Sequence, residues 1–428
     1  MIASVPTSTI QRFVPQGEPS LADDAPGWSN DIDKGPTCWK CRGTGVKRTK
    51  PTQKPLTEIT APRRLATPCP VCHGKGHLMV KQEQLDAKHT PGVITRGRRR
   101  PPHWVVAGVL PMALQQTNNN TTNTWTDSVR IAYDNCEDVV IQESTTHENS
   151  PHWLPKTAEQ LCNLVGSWRI LQRVGSHRWT TDDLVTAWVA GKFCTHSTNH
   201  YLDLGCGNAS VLLMTAWIWK IQGMPSSRTI VGVEARSEAV ALAKRSVEFN
   251  LGMDGASIVH SDFRDFKSTL QFQLITGTPP YFRVDFDVRD QTTVTSAIIN
   301  QGGMPTAKQS APARCEFRGG IEAYCATAAR FLDKQVGHFC VCENWLNHER
   351  VMKAAMESNL QIVEQYHVHG KEGRPILFAV YVMQHAEVLK ESKTHTLVVR
   401  GSNGEWTEQY KTTVLHNMSI PFHNDHSL

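Results

Sequence analysis

No run of about 18 consecutive apolar residues occurs in this 428-residue chain, so no segment reads as a membrane-spanning helix. The N-terminus lacks a basic stretch followed by an apolar one, which argues against a secretory signal. The first 17 residues hold Arg12 and no acid, thin support for a mitochondrial presequence. A disulfide framework is lacking too. Of 12 cysteines, four stand in paired motifs and the rest are scattered, which fits reduced thiols inside a cell. The expectation is a cytoplasmic protein, with nuclear and mitochondrial placement left open. Apolar residues make up only 39%, low for a chain folded throughout, and the length predicts two or three domains.

The net charge of +5 hides an asymmetry. Residues 1–37 carry −3 and residues 38–103 carry +12, leaving −4 for the rest. Concentrated positive charge beside a near-neutral body is what a phosphate-contacting surface requires, although a solvated basic stretch has the same composition.

Composition divides the chain further. Residues 1–37, rich in Pro, Ser and acids, read as disordered; 38–80 hold the cysteine pairs; 81–150, with Arg98-Arg99-Arg100 and an Asn/Thr tract, read as basic linker with some strand around Val105–Leu110. From 151 to 384 short apolar runs alternate with helical segments, the mark of a wound α/β sheet. Strands are predicted at 201–204, 229–234, 256–260, 272–276, 337–342, 361–367 and 376–382. Between them, Ser210–Trp219 reads as a helix. Residues 236–249, with Ser237 as N-cap, put Ala239, Leu242, Ala243 and Val247 on one face, and 319–332 do the same with Ile321, Tyr324, Ala328 and Leu332. The last two strands are joined by too few residues for a crossover and should pair antiparallel. Residues 385–428 read as a hairpin over Thr396–Tyr410, turning at Ser402-Asn403-Gly404, and a loose tail.

Four of these strands end in residues able to touch a nucleoside or a reacting amine. Asp203-Leu-Gly205-Cys-Gly207-Asn-Ala209 follows the first, and its glycines allow a close backbone approach. Ala209 stands where a dinucleotide fingerprint has its third glycine, so a pyrophosphate would be poorly cradled. Glu234 ends the second strand and is placed to accept ribose hydroxyls. Asp262 and Phe263 follow the third, an acceptor for an adenine amino group beside a ring to flank it. Thr278-Pro279-Pro280-Tyr281-Phe282 follows the fourth. The Thr278 side chain and the Pro279 carbonyl can accept two N–H bonds from a planar nitrogen, the prolines donate none, and Tyr281 offers a stacking face.

In this order the motifs resemble those of S-adenosylmethionine-dependent methyltransferases. Thr278-Pro279-Pro280-Tyr281 is similar to the Asn/Asp/Ser-Pro-Pro-Tyr/Phe motif of enzymes acting on planar nitrogens. Gly175-Ser-His177-Arg178-Trp179-Thr180-Thr181-Asp182-Asp183-Leu184, Ala313-Arg314-Cys315-Glu316 and Gly370-Lys371-Glu372-Gly373 resemble segments of the bacterial tRNA adenine-N6 methyltransferases. The resemblance spans about residues 164–384. It implies a seven-stranded, doubly wound, Rossmann-like sheet. It also implies S-adenosylmethionine held by Asp203, Gly205, Gly207, Glu234, Asp262, Phe263 and Thr278, a catalytic tetrapeptide Thr278, Pro279, Pro280 and Tyr281, and structured RNA such as tRNA as substrate. Thr278 departs from the usual Asn, offering a hydroxyl and no amide, which bears on the target atom. Arg283–Pro312, with Gly302-Gly303 as hinges, reads as a substrate lid or as a disordered insert.

Cys38-Trp-Lys-Cys41-Arg-Gly43-Thr-Gly45 and Cys69-Pro-Val-Cys72-His-Gly74-Lys-Gly76 repeat one pattern. Cys38, Cys41, Cys69 and Cys72 supply four sulfurs, a closed tetrahedral zinc set; two redox-active dithiols are the alternative. The pattern resembles the zinc region of J-domain chaperones, with two repeats rather than four. The leading expectation is an RNA adenine methyltransferase with a basic zinc module that captures RNA or docks a protein. A protein glutamine N5-methyltransferase presents comparable chemistry, and a non-catalytic zinc/RNA-binding adaptor is the third reading.

Overall fold

The computed structural model describes residues 92–94, 110–115, 139–140, 151–156, 159–173, 178–224, 228–281, 316, 318–387 and 391–420. The four paired cysteines, Phe282, the segment Arg283–Pro312 and residues 105–109 of the expected linker strand lie outside the described residues.

Two sheets organise these residues. β1 (Gly92–Ile94), β2 (Val139–Val140), β3 (Glu159–Asn163) and β4 (Arg169–Arg173) form a small one in the order β2-β1-β3-β4. β3 and β4 pair antiparallel, while β1 runs parallel to β3. The segment expected as linker thus contributes strands β1 and β2. The large sheet contains β5 (His200–Leu204), β6 (Thr229–Glu234), β7 (Ser257–His260), β8 (Leu274–Gly277), β9 (His338–Asn344), β10 (Leu360–His369), β11 (Ile376–His385) and β12 (Lys393–Val398). Their order is β12-β10-β11-β9-β8-β5-β6-β7. β9, β8, β5, β6 and β7 are mutually parallel, and β11 runs antiparallel between β9 and β10 as expected. Strand order reverses between β5 and β8, which opens a crevice at their carboxyl ends.

All seven expected strands are present, but the sheet has eight. Residues 396–398 were expected in a hairpin; instead they belong to β12, which adds parallel to β10, whose outer edge would otherwise be unpaired. Of the hairpin only the bridge Arg400–Trp406 remains, and Thr407 caps a helical turn at Glu408–Tyr410. Tyr410, Val414, Leu415, Met418 and Ile420 are buried in the main core, so the fold runs well past residue 384.

Helices cover both faces. α1 (Met112–Gln115) is a single turn; α2 (Thr181–Lys192), α3 (Ser210–Ile221) and α4 (Ser237–Leu251) supply one core, and α5 (Ile321–Phe331) and α6 (His348–Glu357) the other. α3 is buried from Val211 to Trp219, as a helix with no polar face must be. Its outer side is covered by Trp168, edge-on to Trp217 at 5.4 Å, and by the C-terminal segment through Ser419, which accepts from Trp217 Nε1 at 3.3 Å. The N-cap of α4 is Arg236, with no side-chain cap, and Ser237 is the first helical residue. The capping expectation fails because the Arg236 backbone N–H already donates to Glu234 Oε1 at 2.9 Å, which fixes the turn one residue earlier.

α4 also anchors the small sheet. β4 is its edge, and two of its main-chain N–H groups donate to helix side chains: Arg169 to Asn250 Oδ1 and Leu171 to Ser246 Oγ, each at 3.0 Å. Asn250 Nδ2 returns a bond to the Arg169 carbonyl at 2.6 Å, and Arg245 pairs with Glu159 at 2.7 Å. Asn250→Ala should therefore strand buried main-chain groups and lower stability by about 1–3 kcal/mol, read as a drop in urea midpoint. An unchanged midpoint would show that the hairpin is held by apolar packing alone.

Candidate active site

β5 runs out at Leu204, and the chain turns through Gly205 (φ +63°), Gly207 (φ +55°) and Ala209 (φ +69°). At Gly205 a Cβ would collide with the Tyr324 hydroxyl, so the position admits only glycine. At Gly207 the nearest atom to such a Cβ is Arg236 at 3.9 Å, which leaves the backbone open to a ligand. Ala209 holds the left-handed conformation with its methyl in the core, at a backbone cost of about 1–2 kcal/mol.

The turn is tied down from β6. Glu234 Oε2 accepts the Gly207 N–H at 2.9 Å, while Oε1 accepts from Arg236 N and Nε, both at 2.9 Å. Burial pushes this carboxyl up, but the Arg236 charge and hydrogen bonds outweigh it and hold Glu234 below its ordinary value. Asp262 behaves alike. Burial raises it, and hydrogen bonds from Arg264 at 2.7–3.0 Å bring it below the usual range. Phe263 is buried and tilts against Tyr324 of α5, centroids 4.4 Å apart.

Two further carboxyls carry the opposite shift. Asp183 of α2 accepts from Thr180 N at 2.8 Å and Ser210 Oγ at 3.2 Å, yet burial, followed by the neighbouring Asp182, pushes it up to about 8. Asp203 is pushed up to about 7 by burial, against the Thr276 hydroxyl that donates to its Oδ1 at 2.6 Å. Its Oδ2 has no partner among the described residues.

These elements enclose a cavity of about 140 Å³. Of the residues expected there, Gly205, Gly207, Glu234, Asp262, Phe263, Thr278 and Pro280 line it. Asp203 does not: it lies under the turn and bonds Thr276, itself bonded to Tyr201. Pro279 is buried behind the wall. The Tyr281 ring also stands outside, its hydroxyl donating to Asp182 Oδ2 at 2.7 Å and its carbonyl accepting from Asn347 Nδ2 at 3.3 Å. Arg236, Arg318, Tyr324 and Ser210 line the cavity without having been singled out. Trp179 and Asp183, quoted only within a motif, line it too, and Trp179 Nε1 is a buried donor with no partner among the described residues. Carboxylates on three sides with a few N–H donors suit a cationic ligand that also bears acceptors. Among the described residues, no three His, Cys, Asp or Glu side chains cluster as a metal site.

Residues 167–305 match the family model of the methyltransferase small domain. The release factor glutamine methyltransferase of Caulobacter vibrioides is 28% identical over 120 residues, 27% of this chain and 39% of that protein. The chain thus spans about two-fifths of the length of that curated relative. Among solved structures, a predicted O-methyltransferase of Agrobacterium tumefaciens has a TM-score of 0.40 and 11% identity, covering 57% of this chain and 100% of that one. The methyltransferase subunit of a type I restriction-modification system from Streptococcus thermophilus has a TM-score of 0.37 and 12% identity, covering 58% and 55%.

The raised carboxyl of Asp183 has a consequence for stability. Its folded value of about 8 lies above the 3.8 of the unfolded chain, so unfolding releases a proton between those values. The contribution of Asp183 to stability is fully present below 3.8 and is lost as pH rises toward about 8. Asp183→Asn keeps an acceptor for Thr180 but removes the titration. Its urea midpoint, relative to wild type, should be higher at pH 8 than at pH 4; an equal difference at both would mean that Asp183 ionises normally.

Proposed function

We propose, from the match of residues 167–305 to the methyltransferase small domain, that the chain is an S-adenosylmethionine-dependent N-methyltransferase acting on the exocyclic amine of adenine in structured RNA such as tRNA. The observation that carries this is a single cavity onto which both halves of the chemistry open. Glu234 and Asp262, from the carboxyl ends of β6 and β7, face Thr278 and Pro280 from the end of β8. The cofactor fits on three counts: carboxylates for its cationic groups, the open backbone at Gly207, and the unpartnered Trp179 N–H for its carboxylate. When bound it supplies a methyl already carried on a sulfonium. The chain's own residues then have to place the nucleophile. Thr278 Oγ1, which lines the cavity, accepts one N–H group of the amine; the Pro279 carbonyl takes the other only once the tetrapeptide turns toward the cavity, and alignment provides most of the acceleration.

RNA is favoured by the +12 charge of residues 38–103. In this proposal Cys38, Cys41, Cys69 and Cys72 hold a structural zinc that folds that module. A glutamine side chain in a protein is the second reading, favoured by the release factor methyltransferase relative. Its amide nitrogen meets the same acceptors.

Methyl transfer to total RNA and to a glutamine-containing peptide, with mass spectrometry of the RNA nucleosides, separates the readings. N6-methyladenosine should appear. Methylation of the peptide alone would overturn the RNA assignment, and no cofactor binding would leave an adaptor. Glu234→Ala should weaken cofactor binding by about 1.5–3 kcal/mol per charged hydrogen bond lost. Tyr281→Ala, which removes the bond to Asp182 that holds the tetrapeptide from behind, should leave that affinity nearly intact and lower turnover by misplacing Thr278. Equal losses of affinity would contradict the division of roles.

The N-terminal module has its own test. Cys69→Ser should release bound zinc, seen by elemental analysis, while the large sheet stays folded. Removing residues 1–91, which leaves β1 in the small sheet, should raise the KM for RNA and flatten its salt dependence, about −0.7 in log–log slope per single-strand phosphate contact. Metal-free wild-type protein would remove the zinc assignment, and an unaltered salt slope would remove the module from substrate capture.

A further inference from the structure

The carboxyl edge of the large sheet continues beyond the acceptor motif. β8 leads into Thr278–Tyr281, and beside it β9 leads into the turn Trp345–Asn347. Asn347 joins the two, its Nδ2 donating both to the Tyr281 carbonyl and to Glu343 Oε1, at 3.3 and 3.0 Å. Next along the edge come β11 and then β10, which runs in the same direction as β9 and ends at His369. By inter-strand spacing β9 lies about 5 Å and β10 about 14 Å from β8.

That stretch carries a set of stacked rings. Trp345 lies on His348 with centroids 4.4 Å apart and planes 22° from parallel. His348 is in turn near-parallel to Tyr381, 19° apart in plane, and its Nδ1 is 3.0 Å from the Tyr381 hydroxyl. His367 tilts against Trp345 at 4.6 Å. Trp345, His348 and His367 are each half-buried, while Leu346 is 82% and Leu377 56% exposed beside them. Burial, followed by His348 and His369, holds the His367 imidazole below its ordinary value, so it is neutral at neutral pH. The nearby cation Arg350 is engaged by Glu316 and Glu322.

We propose that Trp345, His348 and His367 form a stacking platform for an unpaired nucleobase that flanks the base entering the acceptor motif. This rests on the nucleic-acid reading of the function. The turn that carries Trp345 is fixed by Asn347, so rings already stacked there lose little freedom on binding, and an aromatic surface that begins one strand from the acceptor motif matches the face of a base. Backbone phosphates fall to the basic N-terminal segment, so the platform works through π contact alone.

The test uses the full chain and a labelled single-stranded oligouridylate carrying one adenosine, followed by fluorescence anisotropy at raised salt, where phosphate contacts weaken. An abasic residue at one position flanking the adenosine should weaken wild-type binding about 5- to 100-fold, the range that stacking one base supplies. Trp345→Ala should bind the intact oligonucleotide that weakly and show no further loss with the abasic one. Trp345→Phe should retain most of the affinity, and S-adenosylmethionine binding, unchanged in both, reports that they fold. Wild-type affinity in W345A, or the same abasic penalty with and without the indole, would overturn the platform. So would a flat abasic scan of the wild type, which needs no variant. RNA methylation with a flat scan removes the platform and keeps the enzyme assignment. Methylation of a glutamine peptide with a KM raised by W345A makes the patch a peptide surface and overturns both.

Discussion

Everything at the candidate site depends on one carboxylate. Glu234 ends β6, reaches across to the N–H of Gly207 after β5, and holds both the main chain and guanidinium of Arg236 before α4. Three segments that line the cavity are thereby fixed to one another through three hydrogen bonds. The left-handed turn at Gly205, Gly207 and Ala209 is costly for a chain to adopt, and this bond is what holds it against the alternatives. Because Arg236 keeps Glu234 ionised in a buried place, the charge is available to a ligand at any pH near neutrality.

Around it, the carboxyls fall into two kinds. Glu234 and Asp262 are each engaged by an arginine and stay charged. Asp183 and Asp203 have only neutral donors and are raised toward neutrality. The site therefore has a permanent negative component and a second that develops when a cation arrives or the pH rises. A ligand with a positive centre gains twice from such an arrangement, since its own field favours the ionisation that then binds it.

The strands and the acidic strand ends were legible because both are local signals: apolar runs, then a residue that cannot belong to the run. Orientation was not. Asp203 lies level with Gly232, two residues short of Glu234, and is held under the glycines by Thr276, a residue 73 positions away. Tyr324 and Arg318 arrive from beyond the segment 282–315, with no spacing to link them to the glycine turn. The same limit explains β12. Ser402-Asn403-Gly404 is a sound turn signal, but whether the flanking residues pair with each other or with β10 is decided by which edge is vacant. Ser237 lost its cap position to a side-chain bond made from the preceding strand.

The parallel addition of β12 bears on biosynthesis. Until the residues after 392 have left the ribosome, the outer edge of β10 has no partner, and Trp217 lacks the cover of Met418 and Ser419. The domain cannot close during synthesis of its central part, and the incomplete sheet presents both an open strand and an apolar helix. A chain interrupted near residue 385 would retain nearly all of the cavity lining and still be the form most prone to aggregate. Premature termination is then expected to act through loss of protein rather than loss of the site.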